Sequence, residues 1–564
     1  MDKKSCESVS CTLEKKGNNI SSNLIRILKN PRSTCPTWNG FLIALIIFVF
    51  GNSIYFDFVY YDDYTYTIAK SAKGKFYSPT FLKWAITSTD DGFWAPLTKI
   101  SHQIDTNLFG EKSGWHHFVN LLLHIVNSLL LWRLLALING ESLLVFLSTA
   151  IFAIHPLRVE PVCWIASRKD LLSTLFLILM LIEFVKYLKS GDSKNYVKSL
   201  IYFILSSLSK PISMVFPFFL PLIYFLYKKK ITLDEKLSSV LIKSIPFLLI
   251  SILVAIVTLH SEKEAIVPDQ FLTISDRLSR EMLSLSHYLL LSFLPVDLHT
   301  PFGIDYYLFS GQKLGEPVFK NPFYLISFAL IFLIFTLGWV LFSQSKTTGL
   351  LTYLMFLLPL IPISGVIPFG HHLIADRFTY PSHIALALWL IYLPRNNERP
   401  FKVIYLILLS LILLIFTIYS FNLTSYWQNS ETLFRRTLQF EPKSYVGLCN
   451  LASSLLRSNR YIEAIPVLQK TTELYPNKYE PYNDLAFAYQ QLGRYQDALN
   501  NYLKSLQIKP DDPEILSNIS ALYLEVGDVE NAQIFSRKAL QINPNLENAQ
   551  KILNIIENSR KEHN

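Results

Sequence analysis

The chain has 564 residues, of which 51% are hydrophobic and only 17% are charged, and its mean hydropathy is +0.29. An ordinary globular protein carries about 25% charged residues, so this composition excludes a wholly soluble chain and a largely disordered one. The net charge of +9 is typical of the cytoplasmic loops of a membrane protein, and we expect no nucleic-acid partner. The composition predicts an integral membrane protein with a soluble part attached. The cysteines lack the spacing of a zinc site or a disulfide framework: Cys6, Cys11, Cys35, Cys163 and Cys449.

Apolar runs recur along the chain as far as Asn422, and most are long enough to cross about 30 Å of hydrocarbon as helices. The apolar stretch 282–294 is too short to span easily, and we interpret it as an interfacial or re-entrant segment. The remaining runs predict eleven membrane spans: 38–56, 116–136, 142–157, 170–187, 197–209, 211–227, 239–259, 322–343, 349–369, 379–394 and 403–421.

The distribution of charge predicts the orientation of these spans, because basic residues concentrate on the cytoplasmic side of a membrane. With the N-terminus in the cytoplasm, the inner segments up to residue 422 carry 21 basic and 9 acidic residues, a net charge of +12. The opposite side carries 16 basic and 18 acidic residues, a net charge of −2. We therefore expect a cytoplasmic N-terminus and an outer location for everything after the last span.

The chain after residue 422 is soluble in composition and contains a repeat. Pro442, Pro476, Pro510 and Pro544 are 34 residues apart. Small residues recur at matching offsets, and two of the three turns between helices carry a glycine where the first repeat has Asn459. A 34-residue helix–turn–helix unit of this kind is a tetratricopeptide repeat. The sequence predicts three such repeats and a terminal helix over about 547–560, a stack that binds peptides or partner proteins.

These observations predict an all-α fold in which a polytopic transmembrane helix bundle is followed by an α-solenoid. The predicted domains are a cytoplasmic N-terminal segment (1–37), a transmembrane domain (38–422) and a repeat domain (423–564).

Three polar clusters lie on the predicted outer side. The first contains the adjacent carboxylates Asp62 and Asp63, which follow span one. Burial against the membrane would raise the pKa of one carboxylate and suit it as a general base. The second cluster, 155–170, and the third, around His371, His372 and Arg377, contain cations that could grip a phosphate. Each cluster alone also fits an ordinary interfacial loop, but three on one side of a bilayer favour a site for a lipid phosphate.

The usual signatures of other chemistries are missing. Adjacent histidines on a helix point about 100° apart, and there is no HExxH or CxxC spacing, so we expect no metal. There is also no GxSxG nucleophile and no Walker A loop. We expect no cofactor other than a lipid-linked sugar, which would be a substrate.

The segments HPLRVEPVCWIASRKDLLSTLF (155–176), IADRFTYPS (374–382) and YDDYTY (61–66), followed by the repeats, resemble the transmembrane and tetratricopeptide-repeat O-mannosyltransferases and their bacterial relatives. The resemblance extends from about residue 40 to the end of the chain. It implies a type C glycosyltransferase that uses a polyprenyl-phosphate-linked sugar. It further implies that Asp62 or Asp63 is the catalytic base. The residues that it places at the donor site are His155, Arg158, Glu160, Arg168, Lys169 and Arg377.

The predicted function is transfer of a sugar, mannose or another hexose, from the polyprenyl-phosphate donor to a hydroxyl of a protein or glycan, with inversion at the anomeric carbon. The repeats would present the acceptor or a partner protein. A multi-pass location in a bacterial inner membrane is favoured over the endoplasmic reticulum. The alternatives are a lipid-linked glycan ligase or polymerase, and a non-catalytic membrane scaffold; a transporter ranks third.

Overall fold

The computed structural model describes residues 35–63, 75–88, 94–228, 236–261, 274–295, 322–363, 374–393 and 399–562. Within these ranges every regular element is an α-helix or a 3-10 helix. The described chain divides into two compact units, one ending at Gln428 and the other running from Asn429 onwards. The all-α fold class predicted from the sequence is thus confirmed.

The helices of the first unit follow the apolar runs of the sequence. In its N-terminal half they are α1 (Cys35–Phe50), α2 (Pro79–Thr87), α3 (Pro96–Phe109), α4 (Ser113–Asn139), α5 (Leu143–Ile154), α6 (Val159–Cys163), α7 (Arg168–Ser190), α8 (Ser193–Ser209) and α9 (Phe219–Lys228). In its C-terminal half they are α10 (Leu237–Ser261), α11 (Ile274–Phe293), α12 (Pro322–Phe342), α13 (Lys346–Leu357), α14 (Thr379–Tyr392) and α15 (Arg399–Thr424). Short 3-10 helices join several of them: Gly51–Tyr55, Pro156–Arg158, Ile165–Ser167, Pro211–Phe218, Ile361–Ile363, Asp376–Phe378 and Ser425–Trp427.

Seven helices in the described ranges are long and apolar enough to cross a membrane, and α5 with the following 156–163 segment makes an eighth if this pair, bent by 55°, is one span. Of the helices at the other three predicted spans, α8 and α14 do not pass the same test of length and composition, and α12 contributes a shorter apolar helix, Ala329–Phe342, in the part whose side chains the structure describes. The prediction of eleven spans therefore remains a prediction. The stretch 282–294, interpreted as a short interfacial segment, lies in the 20-residue helix α11.

The core of this unit lies around α7, whose apolar window is 78% buried, whereas α10 and α15 are only 28% and 17% buried. The exposed side chains of α10 and α15 are mostly large aliphatic residues such as Leu249, Ile256 and Leu414. A surface of this composition is stable against lipid and not against water. The first unit is therefore a membrane-spanning helix bundle, with α7 at its centre and α10 and α15 at its periphery.

The second unit is a series of antiparallel helices that contact their neighbours in sequence order. They are α16 (Ser430–Phe440), α17 (Tyr445–Arg457), α18 (Tyr461–Leu474), α19 (Glu480–Gln491), α20 (Tyr495–Ile508), α21 (Pro513–Glu525), α22 (Val529–Ile542) and α23 (Glu547–Glu562). Small residues are fully buried where paired helices cross, as the sequence predicts: Ala452, Ala464, Ala486, Ala498, Ser520 and Ala532. In the third repeat the small residue is Ser520, whose hydroxyl donates to the Ala532 carbonyl oxygen at 2.6 Å. The terminal helix α23 covers the last repeat with Ala549, Ile552 and Ile556.

The turns within the three repeats share one backbone conformation. Gly493 and Gly527 have φ angles of 72° and 84°, and Asn459 occupies the equivalent position of the first repeat with φ 57°. Glycine adopts this left-handed region without steric cost, and asparagine tolerates it better than most residues. The left-handed conformation that all three turns require therefore explains why the first repeat has an asparagine at this position where the others have glycine.

We expect Gly493→Ala to lower the free energy of unfolding of the repeat unit by about 1–2 kcal/mol, the strain of a left-handed alanine. The open space around Gly493 makes the backbone angle the only cause of the loss. Urea unfolding of a fragment containing residues 429–564 measures the change. The matched variant Asn459→Gly should be neutral or stabilising, and an equal loss in both variants would contradict this explanation.

Candidate functional site

The loop that follows span one is fixed by the side chain of Asp63. One carboxylate oxygen accepts the Val59 N–H at 2.9 Å, and the other accepts the Ala166 N–H, also at 2.9 Å. Asp63 is completely buried, whereas the preceding Asp62 is only half-buried. Because both oxygens of Asp63 are engaged by backbone groups, Asp63 ties this loop to the segment 164–168 and is poorly placed to take a proton from a substrate.

Burial raises the pKa of Asp63 to about 7, because the ionised carboxylate loses its hydration. Its two backbone hydrogen bonds and the nearby Arg168 act in the opposite direction, while the negative charge of Asp62 adds to the rise. Asp63 is thus buried at a cost to its ionised form, and its role in the fold is to accept these two backbone hydrogen bonds.

Arg168 is held by protein groups on every side. Its Nε donates to Asn120 Oδ1 at 2.8 Å, its Nη2 donates to the His116 carbonyl oxygen at 2.9 Å, and its Nη1 forms an ion pair with Asp105. Ser101 also lies within 3.5 Å of Nη1. The guanidinium therefore joins α3, α4 and α7, and it has little donor capacity left for a phosphate.

Glu160 and Arg377 form a second buried ion pair. The Arg377 backbone N–H donates to Glu160 Oε2 at 2.9 Å, and its guanidinium pairs with Oε1. The guanidinium also lies over the rings of Trp164 and Phe378, at 5.0 and 4.9 Å from their centroids. Glu160 thus joins the 156–163 segment to the 376–378 turn and orients Arg377.

Two lysines lie in the same region. Lys210 Nζ is 2.5 Å from Asp170 Oδ1, while Asp170 Oδ2 has no hydrogen-bond partner among the described residues. Lys169 is buried, and the negative charge of Asp62 acts on both Lys169 and Arg377. The half-buried carboxylate of Asp62 therefore lies near enough to these two cations, one from α7 and one from the turn before α14, for its charge to act on them.

Arg158 differs from the other arginines of this region because no carboxylate within the described chain pairs with it. Its Nη2 donates to Thr379 Oγ1 at 2.9 Å and to His383 Nδ1 at 3.0 Å, and the guanidinium lies 4.7 Å from the Tyr380 ring centroid. Its Nε and Nη1 are buried without a hydrogen-bond partner among the described residues. A buried cation without an ion-pair partner is unfavourable even where more distant carboxylates such as Asp376 and Asp170 act on it, so an anionic ligand would stabilise Arg158 further.

His155 has both ring nitrogens engaged. Its Nδ1 accepts the Leu157 N–H at 3.2 Å, so Nε2 carries the proton and donates to the Ser292 carbonyl oxygen at 3.1 Å. The ring packs against His383 and Phe416, at 4.7 Å from each ring centroid. His155 is therefore a neutral residue that shapes the turn before Arg158.

The structure brings together Asp62, Asp63, His155, Arg158, Glu160, Arg168, Lys169 and Arg377 at the end of the bundle where span one emerges. His371 and His372 lie outside the described residues. In the described ranges no group of three or more His, Cys, Asp or Glu side chains is placed to hold a metal ion. The roles predicted for these residues remain predictions. The geometry distinguishes Arg168, whose guanidinium is engaged by protein groups, from Arg158, which has nitrogens without a partner among the described residues.

Sequence reasoning missed Asp105 and Asn120, which hold Arg168 in place. One signal was available on α4: polar residues recur at His116, Asn120, His124 and Asn127 within an otherwise apolar helix, at the spacing of one helical face. These residues are fully buried, and His124 and Asn127 both bond the hydroxyl of Tyr380. Partners of this kind are recognised only when α4 is placed against α7 and α14.

Comparison with known proteins supports the division between the two units. Sequence models described as tetratricopeptide repeat match residues 467–500 and 513–546, and one described as TPR repeat matches 489–527. The C-terminal unit is a tetratricopeptide-repeat domain. The prediction made from the 34-residue period is confirmed.

The chain is also similar to proteins named as protein O-mannosyl-transferases. Tmtc2 of Drosophila melanogaster is 28% identical over 121 residues, which cover 20% of this chain and 13% of that protein. TMTC1 of Mus musculus is 31% identical over 127 residues, covering 20% and 13%, and F38B6.6 of Caenorhabditis elegans is 27% identical over 183 residues, covering 30% and 25%. The predicted resemblance is confirmed for the matched part, and the chain spans a quarter or less of these relatives' lengths.

The raised pKa of Asp63 predicts a pH dependence of stability with a definite sign. A carboxyl whose pKa rises on folding, here from 3.8 to about 7, binds its proton more tightly in the folded state. Its contribution is fully present below pH 3.8 and is lost as the pH rises to about 7. The free energy of unfolding of the wild type relative to Asp63→Asn should therefore fall across this window by up to about 4 kcal/mol.

Unfolding in detergent at a series of pH values measures this difference, and the comparison with the variant cancels the other titrating groups. Asp57→Asn is the matched control, because Asp57 is an exposed carboxylate of the same loop. A difference that grows with pH would show that the fold favours the ionised form of Asp63 instead.

Proposed function

We propose that the membrane unit is an inverting glycosyltransferase that moves a sugar, mannose or another hexose, from a polyprenyl-phosphate donor to a hydroxyl of a protein. The observation that carries the proposal is the clustering of Asp62 with the cations Lys169 and Arg377, close enough for their charges to interact, at one end of a membrane-spanning bundle. The similarity to proteins named as O-mannosyl-transferases supports the same reaction class and a protein acceptor.

The donor phosphate is assigned first to Arg158, with Lys169 and Arg377 adding positive charge nearby. Arg158 contributes two buried nitrogens without hydrogen-bond partners in the described chain, and Lys169 and Arg377 contribute charge beside Asp62. Positive charge at this place stabilises the phosphate as it gains charge on leaving. Glu160 holds Arg377 in position, and Arg168 and His155 hold the loops.

Asp62 is assigned as the general base and Asp63 as a positioning residue. In the reaction Asp62 takes the proton of the acceptor hydroxyl, the hydroxyl oxygen forms a bond to the anomeric carbon, and the bond from that carbon to the phosphate oxygen breaks. The polyprenyl phosphate leaves with the electron pair, so one displacement inverts the anomeric configuration. The residues of this chain supply the proton acceptor and the charge stabilisation that this step needs.

The repeat domain is assigned to protein recognition, since stacked helical repeats offer an extended surface and no catalytic groups of their own. We propose that it binds the acceptor protein or a partner that delivers the acceptor. Membrane lipids surround the first unit.

We expect Asp62→Asn to lower the rate of sugar transfer by about 10²–10⁴-fold, the usual contribution of a general base. Transfer from a polyprenyl-phosphate-mannose donor to a serine- and threonine-containing peptide measures the rate, with unfolding temperature as a second readout. Because Asp62 is half-buried and Asp63 makes the backbone hydrogen bonds, Asp62→Asn should preserve stability.

Asp57→Asn is the control for removing a negative charge from this loop, and it should keep full activity. Full activity of Asp62→Asn would overturn the assignment of the base. Loss of transfer only on deletion of residues 429–564, with no effect of Asp62→Asn, would favour the scaffold alternative.

For the donor site, Arg158→Gln should raise the dissociation constant of the polyprenyl phosphate about tenfold or more, because a charge-assisted hydrogen bond to a buried anion is lost. The matched variant is Arg168→Gln, which removes a guanidinium saturated by Asp105, Asn120 and His116. It should lower the unfolding temperature, while the folded fraction keeps its affinity. Unchanged affinity in Arg158→Gln would remove Arg158 from the donor site.

A further inference from the structure

A cavity lies in the membrane unit, at the end of spans one and two that is remote from Asp62. It has a volume of about 520 Å³, within the usual range of small-molecule sites. Its walls come from the beginning of α1 and the end of α4, and they include Leu129, Trp132 and Leu137. Asn39, Arg133 and Glu141 supply its polar groups. Asp62 lies beyond the opposite end of α1, so this cavity does not belong to the site described above.

The position of Arg133 along α4 places the cavity at headgroup depth. Arg133 lies three residues before the end of the predicted span 116–136, about 4.5 Å along the helix axis, so its long side chain reaches the headgroup region. Aromatic rings cluster at the same level: the Trp38 and Phe146 centroids are 4.6 Å apart, and Trp132 packs 6.3 Å from Phe146. Tryptophan is enriched where lipid headgroups meet the hydrocarbon. An occupant of the cavity would therefore be a component of the bilayer itself.

Arg133 is the cation among the residues that line the cavity, and Glu141 is the carboxylate. The Arg133 side chain is exposed, and within the described part of the chain its guanidinium makes no hydrogen bond or ion pair, including with Glu141. An arginine in a membrane helix is expensive unless it meets a counter-ion or the headgroup region. The planar guanidinium fork is suited to phosphate oxygens.

The surrounding surface favours an anion as well. The helix α7 ends, and α8 begins, at the same end of the bundle as the cavity, with exposed Lys189, Lys194 and Lys198. Such basic clusters beside a membrane attract anionic lipids. We propose that this cavity binds an anionic phospholipid, with the headgroup phosphate on Arg133 and the first acyl carbons against Leu129, Trp132 and Leu137.

A lipid is favoured over a free phosphate because the walls beside Arg133 are largely apolar, and inorganic phosphate would gain a single arginine and no further described cation. The inference is independent of the proposed sugar transfer, since none of the cavity residues belongs to the site around Asp62. Snorkelling of Arg133 to bulk water is the alternative, and it predicts no preference for a particular lipid.

The experiment titrates the full-length protein in detergent with phosphatidylglycerol, phosphatidylcholine or inorganic phosphate, and follows bound lipid by native mass spectrometry and the unfolding temperature. Phosphatidylglycerol should bind and stabilise more than phosphatidylcholine. Arg133→Gln should raise its dissociation constant about tenfold or more. Ala136→Phe, which fills the cavity and keeps the charge, should weaken binding of the same lipid.

Lys198→Gln is the matched control, because it removes an exposed cation at the same end of the bundle outside the cavity. It should keep the affinity of the wild type. The proposal is overturned if Arg133→Gln binds phosphatidylglycerol as the wild type does, if phosphatidylcholine binds equally well, or if inorganic phosphate alone produces the same stabilisation. Equal losses in Arg133→Gln and Lys198→Gln would show diffuse surface attraction in place of a site, and would overturn it too.

Discussion

The structure of the membrane unit depends on how it compensates buried charge. A cation that leaves water for the interior of a helix bundle loses several kcal/mol of hydration, and only a close anion with further hydrogen bonds recovers it. Arg168 meets this condition through Asp105, Asn120 and the His116 carbonyl oxygen. The partners of Arg168 come from α3 and α4. The hydrogen bonds and the ion pair of this one guanidinium therefore constrain how α3 and α4 pack on α7.

The same constraint separates residues that build the site from residues that are available to a ligand. Arg377 is compensated by Glu160, and Lys210 by Asp170. Arg158 receives only the neutral acceptors Thr379 and His383 and the face of Tyr380. Arg158 therefore has neutral hydrogen-bond partners and no ion pair within the described chain, which makes it the arginine of this region that an anionic substrate would pair with.

Much of the architecture was predictable because it follows from periodicity. The 34-residue spacing of Pro442, Pro476, Pro510 and Pro544 defines the repeats, and the apolar runs locate the helices of the bundle. Span number was less predictable, since helices such as α8 and α14 are short and depend on packing against their neighbours. The site was predictable as a set of charged loops, but the partner of each charge was not, because Arg168 and Asp105 are 63 positions apart.

The pair Asp62 and Asp63 shows why sequence reasoning stops at this level. Two adjacent carboxylates are chemically alike, and their order in the chain does not say which one meets substrate. The distinction comes from the Val59 and Ala166 N–H groups, which occupy both oxygens of Asp63 and bury it. A general base needs an oxygen that is accessible to the proton it accepts. Asp63 uses both of its oxygens to fix the loop and has none left for this purpose. The backbone contacts therefore distinguish the two carboxylates: Asp63 holds the loop through hydrogen bonds, and the half-buried Asp62 is the one we propose as the base.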